Sequence, residues 1–304
     1  MKFPMFEEIS KVINEDVFPR LKTRNLNVFL VGAGPGNLKS IRDSIRKELI
    51  TWRYHNWLDV YYPEELFEEL LGRGKHFDLL SLENLLAESV HAVVIILESP
   101  GAIAELGAFA NHKELCNRLV VIVDSKYRKA KSFIALGPIR YLKKKTKSIV
   151  IDHNLRKPQI QELSQQIWHS IRKVSESVKV DTSVANPIVA QHFLLVAIYI
   201  MEPAEREGLN NLIQVIQKQP IDDITTIVSC SLNILLRKGE VVLKEKQYHL
   251  TKKGLGRLQQ IMKMEYEGQK IEHYLDTLRV KFLNRTLRRP KINITLGEGF
   301  VFSD

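Results

Sequence analysis

The segment Glu98-Ser-Pro-Gly-Ala-Ile-Ala-Glu-Leu-Gly107 joins an apolar run, His91 to Leu97, to a helical pattern from Ala102 to Leu115. Glu105 stands four residues after Gly101 and is expected in the first turn of that helix. There the helix dipole and free backbone N–H groups favour an ionised carboxylate near neutral pH. A carboxylate facing a crevice can attack an anomeric carbon or stabilise an oxocarbenium-like transition state, as carboxylates do in glycoside hydrolysis. Gly101 would let a sugar or phosphate approach the backbone, while Leu106, Phe109 and Leu115 would anchor the helix. The competing reading is that Glu105 only stabilises a helix N-terminus, a common role for an acid.

Two further loops bear on the same crevice. In Gly32-Ala-Gly-Pro-Gly-Asn37 the glycines Gly32, Gly34 and Gly36 resemble a dinucleotide turn, but Asn37 stands where the third glycine belongs and Pro35 interrupts the run into the helix. No Gly-Lys-Ser/Thr follows, so it is not a P-loop either. A turn that offers N–H groups to a phosphate or ribose and a purely structural turn are equally good readings. Ser81-Leu-Glu-Asn84 opens a helix in which Ser81 suits an N-cap and Glu83 the dipole, although both could also point at a ligand. Asn111 and His112 lie too far down the helix axis to reach a substrate at its N-terminus, and Trp52 and Trp57 read as core.

These loops belong to an alternation. Apolar runs at 27–32, 58–62, 91–97, 119–123 and 148–152 are short, rich in Val, Ile and Tyr, and separated by helical patterns at 38–52, 63–71, 81–90 and 102–115. Such an order predicts an α/β fold, a parallel Rossmann-like or flavodoxin-like sheet with helices on both faces and ligands at the carboxyl ends of the strands. Residues 1–24 read as an N-terminal helix, 25–180 as the α/β domain and 181–187 as a linker. Residues 188–304 read as a second, mainly helical domain. There, helices at 188–200, 205–218 and 222–238 precede two β-prone runs joined at Lys244-Glu-Lys246, the order of a winged helix-turn-helix.

The net charge of +10 points to a polyanionic partner. From Lys126 to Lys147 there are nine basic residues and no acidic one. Among them are Lys126, Arg128, Lys129, Lys131, Lys143, Lys144 and Lys145. A second run, Arg237 to Arg257, includes Lys244, Lys246, Lys252 and Lys253 and carries a local +5. Each run alone could be a solvated face, but together they favour nucleic acid, held by phosphate contacts. Only Cys116 and Cys230 are present, without His or Cys neighbours at ligand spacing, so no metal site or disulfide framework is expected. With no apolar stretch of about 18 residues and no signal peptide pattern, the chain is expected in the cytoplasm, without a membrane partner.

The combination of Tyr62-Pro-Glu-Glu-Leu-Phe-Glu-Glu-Leu-Leu71, Leu80-Ser-Leu-Glu-Asn-Leu-Leu-Ala-Glu88, Glu98-Ser-Pro-Gly with Glu105-Leu-Gly-Ala-Phe109, and Ser132-Phe with Gly137-Pro138 closely resembles the effector proteins of bacterial retrons. The resemblance covers most of residues 25 to 145 and extends more weakly to the C-terminal region. It implies a nucleoside-deoxyribosyltransferase-like domain, an NAD-hydrolysing or nucleotide N-glycosidase activity, and a DNA-binding C-terminal module. It also implies an antiphage toxin restrained by a reverse transcriptase and its multicopy single-stranded DNA (msDNA). The family's catalytic glutamate maps to Glu105. Gly32, Gly34, Gly36, Ser99 and Gly101 would shape the pocket, Glu64 and Glu83 would meet ribose hydroxyls, and no cofactor is implied. Such domains commonly complete their sites across a homo-oligomer.

One departure sharpens the chemistry. Free-standing deoxyribosyltransferases carry an aspartate six positions before the glutamate, where this chain has Ser99. Nicotinamide in NAD is cationic before cleavage and leaves neutral without a proton donor, which suits a site with one carboxylate. Two alternatives stay open: the same chemistry on another nucleotide, nucleoside or nucleobase, and a DNA-binding regulator that only senses a nucleotide.

Overall fold

The computed structural model describes residues 4–18, 25–34, 40–51, 58–66, 87, 89–127, 131–217, 220–262, 265–266 and 269–287. In chain order, helix α1 (Pro4–Val12) runs through a π-helical turn, Ile13–Val17, towards β1 (Leu26–Val31). Then follow α2 (Ile41–Leu49), β2 (Leu58–Tyr61), β3 (Ala92–Ile96), α3 (Pro100–Asn111) and β4 (Leu119–Asp124). A π-helical turn, Ala135–Ile139, leads into α4 (Arg140–Lys145), and β5 (Ile149–His153) and α5 (Ile160–Ser175) complete the α/β unit.

The five strands form one parallel sheet in the order β2-β1-β3-β4-β5. The parallel sheet is the one expected from the sequence, and its order is the flavodoxin-like one. The strand order reverses direction between β1 and β3, and the crevice at such a switch point is where open α/β sheets bind ligands. Strands β3 and β4 are buried at every residue, which explains their uninterrupted Val, Ile and Leu runs. One face, built on Val28, Leu30, Val94 and Ile122, is covered by Ile45 and Leu49 of α2 and by Leu163, Ile167 and Ile171 of α5. The other, built on Phe29, Val31, Val93, Ile95 and Val121, is covered by Leu106 and Phe109 of α3. Ile188, Cys230 and Ile234 of the C-terminal unit close that second face.

The C-terminal unit runs α6 (Pro187–Met201), β6 (Ala204–Glu205), α7 (Arg206–Gln217), α8 (Ile221–Arg237), β7 (Val241–Lys244), β8 (Gln247–Leu250) and α9 (Lys252–Met262). A two-residue pair, β9 (Glu265–Tyr266) and β10 (Gln269–Lys270), precedes α10 (Ile271–Leu287). The three-stranded sheet has the order β6-β8-β7. Its hairpin turns on Glu245 and Lys246, whose φ values of 48° and 66° place both in the left-handed region, as a two-residue type I′ turn requires. Gly254 lets α9 close onto this hairpin, because a Cβ there would lie 2.0 Å from the Glu240 carbonyl oxygen.

Two expectations about domain layout take a different shape in the structure. Helix α1, expected as a lead into β1, buries Ile9, and the π-helical turn after it buries Ile13, in the C-terminal core beside Phe193, Leu209 and Leu212; the Ser10 hydroxyl donates to the Leu212 carbonyl at 3.0 Å. The stretch expected as a linker is pinned: Asn186 caps α6 through Ile188 N–H and donates to the carbonyls of Ser89, at 3.0 Å, and Asp181, at 2.7 Å. Across the same junction Asn233 donates to the Leu66 carbonyl at 3.1 Å and Arg237 Nε to the Glu65 carbonyl at 2.9 Å. Lys238 reaches the Gln191 amide oxygen at 3.0 Å and the Tyr61 hydroxyl at 3.4 Å, and burial holds its pKa below the usual lysine value. No helix among the described residues is long and apolar enough to cross a membrane.

Candidate functional site

The loop after β3 organises the crevice. Ser99 is the N-cap of α3, its hydroxyl accepting from Ala102 N–H at 3.2 Å, and Pro100 occupies the first helical position, where its missing N–H costs nothing. The same hydroxyl donates to the Gly32 carbonyl at 3.3 Å, tying α3 to the end of β1. Because the helix starts at Pro100 and not at Ala102, Glu105 is its sixth residue and lies in the second turn. The expected first-turn position is therefore corrected: cap and proline together extend the helix two residues earlier.

Glu98 has a part that its sequence position did not reveal. Its Oε1 accepts from Ala33 N–H at 3.2 Å, the Ser40 hydroxyl at 3.1 Å and Arg42 N–H at 3.3 Å, while Oε2 accepts from Ile41 N–H at 3.1 Å. Ser40 precedes α2 without a side-chain cap bond of its own, so the first N–H groups of α2 are satisfied by a carboxylate from another loop. A Cβ on Gly32 would lie 2.9 Å from Glu98 Oε1 and 3.2 Å from Arg42 Cβ, so the glycine permits this close approach. At Gly34, by contrast, a Cβ would meet nothing within 4 Å.

The other expected ligand residues sort as follows. Glu64 is ion-paired to Arg42 at 2.6 Å, and the Arg42 and Arg46 guanidinium groups each lie 4.2 Å from the Tyr62 ring centre. Gly101 is exposed at the start of α3. Gly36, Ser81 and Glu83 lie outside the described residues, as do Trp52 and Trp57.

Glu105 is half-buried. The sheet-facing side of α3 is formed by Ala102, Leu106, Phe109 and Ala110. At 3.6 residues per turn, Ile103 and Glu105 fall on opposite flanks of that side. Ile103 lines a cavity of about 810 Å³ at the carboxyl ends of β3, β4 and β5, with Val123, Asp124, Lys126, Tyr127 and Arg156 among its walls. Glu105 therefore lies on the flank of α3 away from Ile103. Ser99, the N-cap, lines the cavity too. In the cavity wall, burial pushes the Asp124 pKa up, but the Lys126 ammonium at 2.8 Å, Lys126 N–H and Arg156 together pull it below the usual carboxylate value.

The expected nucleic-acid contacts fall in two places. Lys144 and Lys145 are exposed on the last turn of α4 and Lys131 is exposed ahead of it, Lys126 pairs with Asp124, and Lys143 pairs with Asp152 at 3.2 Å. Arg128 and Lys129 lie outside the described residues. Lys244 and Lys246 are exposed on the hairpin and Lys252 on α9, whereas Lys253 donates to the Lys238 carbonyl at 2.7 Å.

A family model described as STM3845 retron effector protein matches residues 38–242. The candidate ribosyltransferase/DNA-binding protein of retron Ec86 from Escherichia coli is 31% identical over 278 residues, spanning 87% of this chain and 86% of that protein. The candidate ribosyltransferase/DNA-binding protein of retron Ec73, also from Escherichia coli, is 36% identical over 117 residues, 37% of this chain and 36% of that protein.

Proposed function

The chain belongs to the family of STM3845 retron effector proteins, and from that premise we propose that it is an antiphage toxin that cleaves an N-glycosidic bond through Glu105. The nicotinamide–ribose bond of NAD is the substrate bond we favour. The observation that carries the reading is the double lock at the β1/β3 switch point. Glu98 binds the Ala33 and α2 N–H groups, and Ser99 binds Gly32 and caps α3, so the β1 loop and the helix bearing Glu105 are held in fixed relation. A half-buried carboxylate in the second turn of α3 would approach C1′ of a ribose laid over the β1 loop, as nucleophile or as electrostatic partner of the oxocarbenium-like transition state.

Ser99 supports NAD in particular. Its hydroxyl is committed as donor to the Gly32 carbonyl and as acceptor from Ala102 N–H, so it does not hand a proton to a departing base. Neutral nicotinamide leaves without one. No cofactor enters the reaction, since water accepts the ribosyl group. Reverse transcriptase and msDNA restrain the toxin in this reading, with the exposed lysines of the hairpin and of the α4 region on phosphates, and the active form is a homo-oligomer.

The test measures released base by chromatography over NAD, deoxynucleoside monophosphates and single-stranded DNA, for the chain and for Glu105→Gln. Nicotinamide from NAD is the expected product, with a loss of at least roughly 10³-fold in the variant. Wild-type NAD consumption by Glu105→Gln would refute the role of Glu105, and base release from DNA in place of NAD would move the substrate. In cells, NAD should fall when the chain is expressed alone and hold when reverse transcriptase and msDNA accompany it.

A further inference from the structure

Between β4 and β5 the chain leaves large rings in solvent. Phe133 is 85% exposed, Tyr127 54% and Tyr141 47%, with the aliphatic Leu136 at 53% among them, all within one short stretch of chain. Scattered single apolar side chains on a surface are ordinary, but a local group of aromatic rings marks an interaction site. The rings are interleaved with exposed cations: Lys126, Lys131, Arg140, Lys143, Lys144, Lys145 and Lys147, with no acidic residue from 125 to 147. The Lys126 ammonium lies 4.5 Å from the Tyr127 ring centre. Phe133 is not loose, because the outer edge of its ring lies over Gly137, where a Cβ would be 3.6 Å from the ring.

We propose that this face of the α/β unit binds single-stranded DNA, with unpaired bases stacked on Phe133, Tyr127 and Tyr141 and the backbone phosphates on Lys144, Lys145 and their neighbours. The charge complementarity calls for a polyanion, and the rings decide which one. In a duplex each base is already stacked within the helix, so duplex DNA would satisfy the lysines and leave the rings wet. Unpaired bases cover both, and stacking accepts any sequence because every base has a π-face. The cavity lined by Tyr127, Ser132 and Ile134 opens beside the same rings. This inference shares the nucleic-acid partner of the reading above but makes no use of Glu105.

The test titrates the full chain against a fluorescent oligothymidylate of about 20 nucleotides and a duplex of equal length, by anisotropy over a range of salt. The single strand should bind more tightly. Phe133→Ala combined with Tyr141→Ala should weaken it by roughly tenfold or more with an unchanged salt slope. Phe133→Trp should retain binding, while Phe133→Leu, which keeps apolar bulk over Gly137 but has no π-face, should behave as alanine does. Lys144→Gln with Lys145→Gln should instead lower the salt slope by about 1.4, two phosphates at the single-strand coefficient. Glu105→Gln should bind as the parent does, so loss of glycosidase activity and loss of this surface are separable. Equal affinity for duplex, undiminished binding by the double ring variant, or loss of self-association in place of DNA binding on removing the rings would each overturn the proposal.

Discussion

Replacing Glu98 by Gln tests whether the crevice is built around a half-buried anchor. The carboxylate accepts four hydrogen bonds, three on Oε1 and one on Oε2. A glutamine can present its oxygen to only one set. If the oxygen takes the Oε1 position, the amide NH2 faces Ile41 N–H, donor against donor. One N–H is then left unpaired at a cost of about 1–3 kcal/mol. The remaining bonds lose their charge assistance, and α2 loses an anion at its N-terminus, worth about 0.3–1 kcal/mol. The sum is about 2–4 kcal/mol, a large part of the roughly 5–15 kcal/mol that holds a domain folded. Urea unfolding near neutral pH should show the midpoint falling with little change in slope. A loss below about 1 kcal/mol would refute the anchoring role and return Glu98 to the pool of residues free to meet a ligand.

Gly32→Ala should cost about 1–3 kcal/mol, because its Cβ would press on Glu98 Oε1 and Arg42 Cβ, while Gly34→Ala, facing open space, should cost little; equal effects in thermal melts would undo the distinction. His192 is held neutral, its pKa far below the usual value through burial, Arg257 and Lys238. Its Nδ1 must accept from Arg257, whose guanidinium can only donate, at 2.7 Å. The unfolded chain takes up a proton below about pH 6.5 and the folded one does not, so stability is complete above that pH and falls by about 1.4 kcal/mol per unit as pH drops below it. His192→Gln should flatten this slope in unfolding titrations. Ile234→Ala should cost about 2–5 kcal/mol and lower one shared transition for both units, because Ile234 packs into the second face of the sheet; calorimetry showing an unmoved α/β transition would refute joint folding.

Strands β3 and β4 are legible in sequence because both faces are buried, which forces near-continuous apolar runs of Val, Ile and Leu that a surface strand would not carry. The two-residue hairpin turn is harder to read, since Glu245 and Lys246 adopt positive φ without the Asn or Gly that usually announces it. The start of α3 was readable from Ser99-Pro100, a cap followed by a proline, yet the apolar periodicity points to a later start at Ala102. Glu98 was not readable at all. Its partners stand 56 to 65 residues away, and no local pattern says that a glutamate in one loop will satisfy the N–H groups of another. The one hint is that Ser40 begins a helix without capping it. Likewise the amphipathic pattern of α1 shows that it must bury a face, but its partner, the core around Leu209 and Leu212, is set by tertiary packing alone.

The order α6, β6, α7, α8, β7, β8 is that of a winged helix, and α8 holds the place that in helix-turn-helix proteins enters the major groove. Here that helix is not on offer. Every residue from Thr226 to Leu235 is buried, Ile234 and Cys230 pack on the α/β sheet, and Asn233 is bonded to the Leu66 carbonyl. Lifting α8 into a groove would expose Ile234 and its neighbours, at about 1.5–3 kcal/mol for each large apolar side chain, and would strand Asn233 and Lys238. Phosphate contacts from two or three lysines also form without that rearrangement, so they give no reason for it. What the unit presents instead is the tip of its hairpin, Lys244 and Lys246, and the start of α9 at Lys252. Cations so placed would meet backbone phosphates, which carry no sequence code. In the proposed reading a polynucleotide is therefore gripped by charge at the wing, and what distinguishes one strand from two comes from elsewhere on the molecule, where Phe133 and Tyr141 stand in solvent.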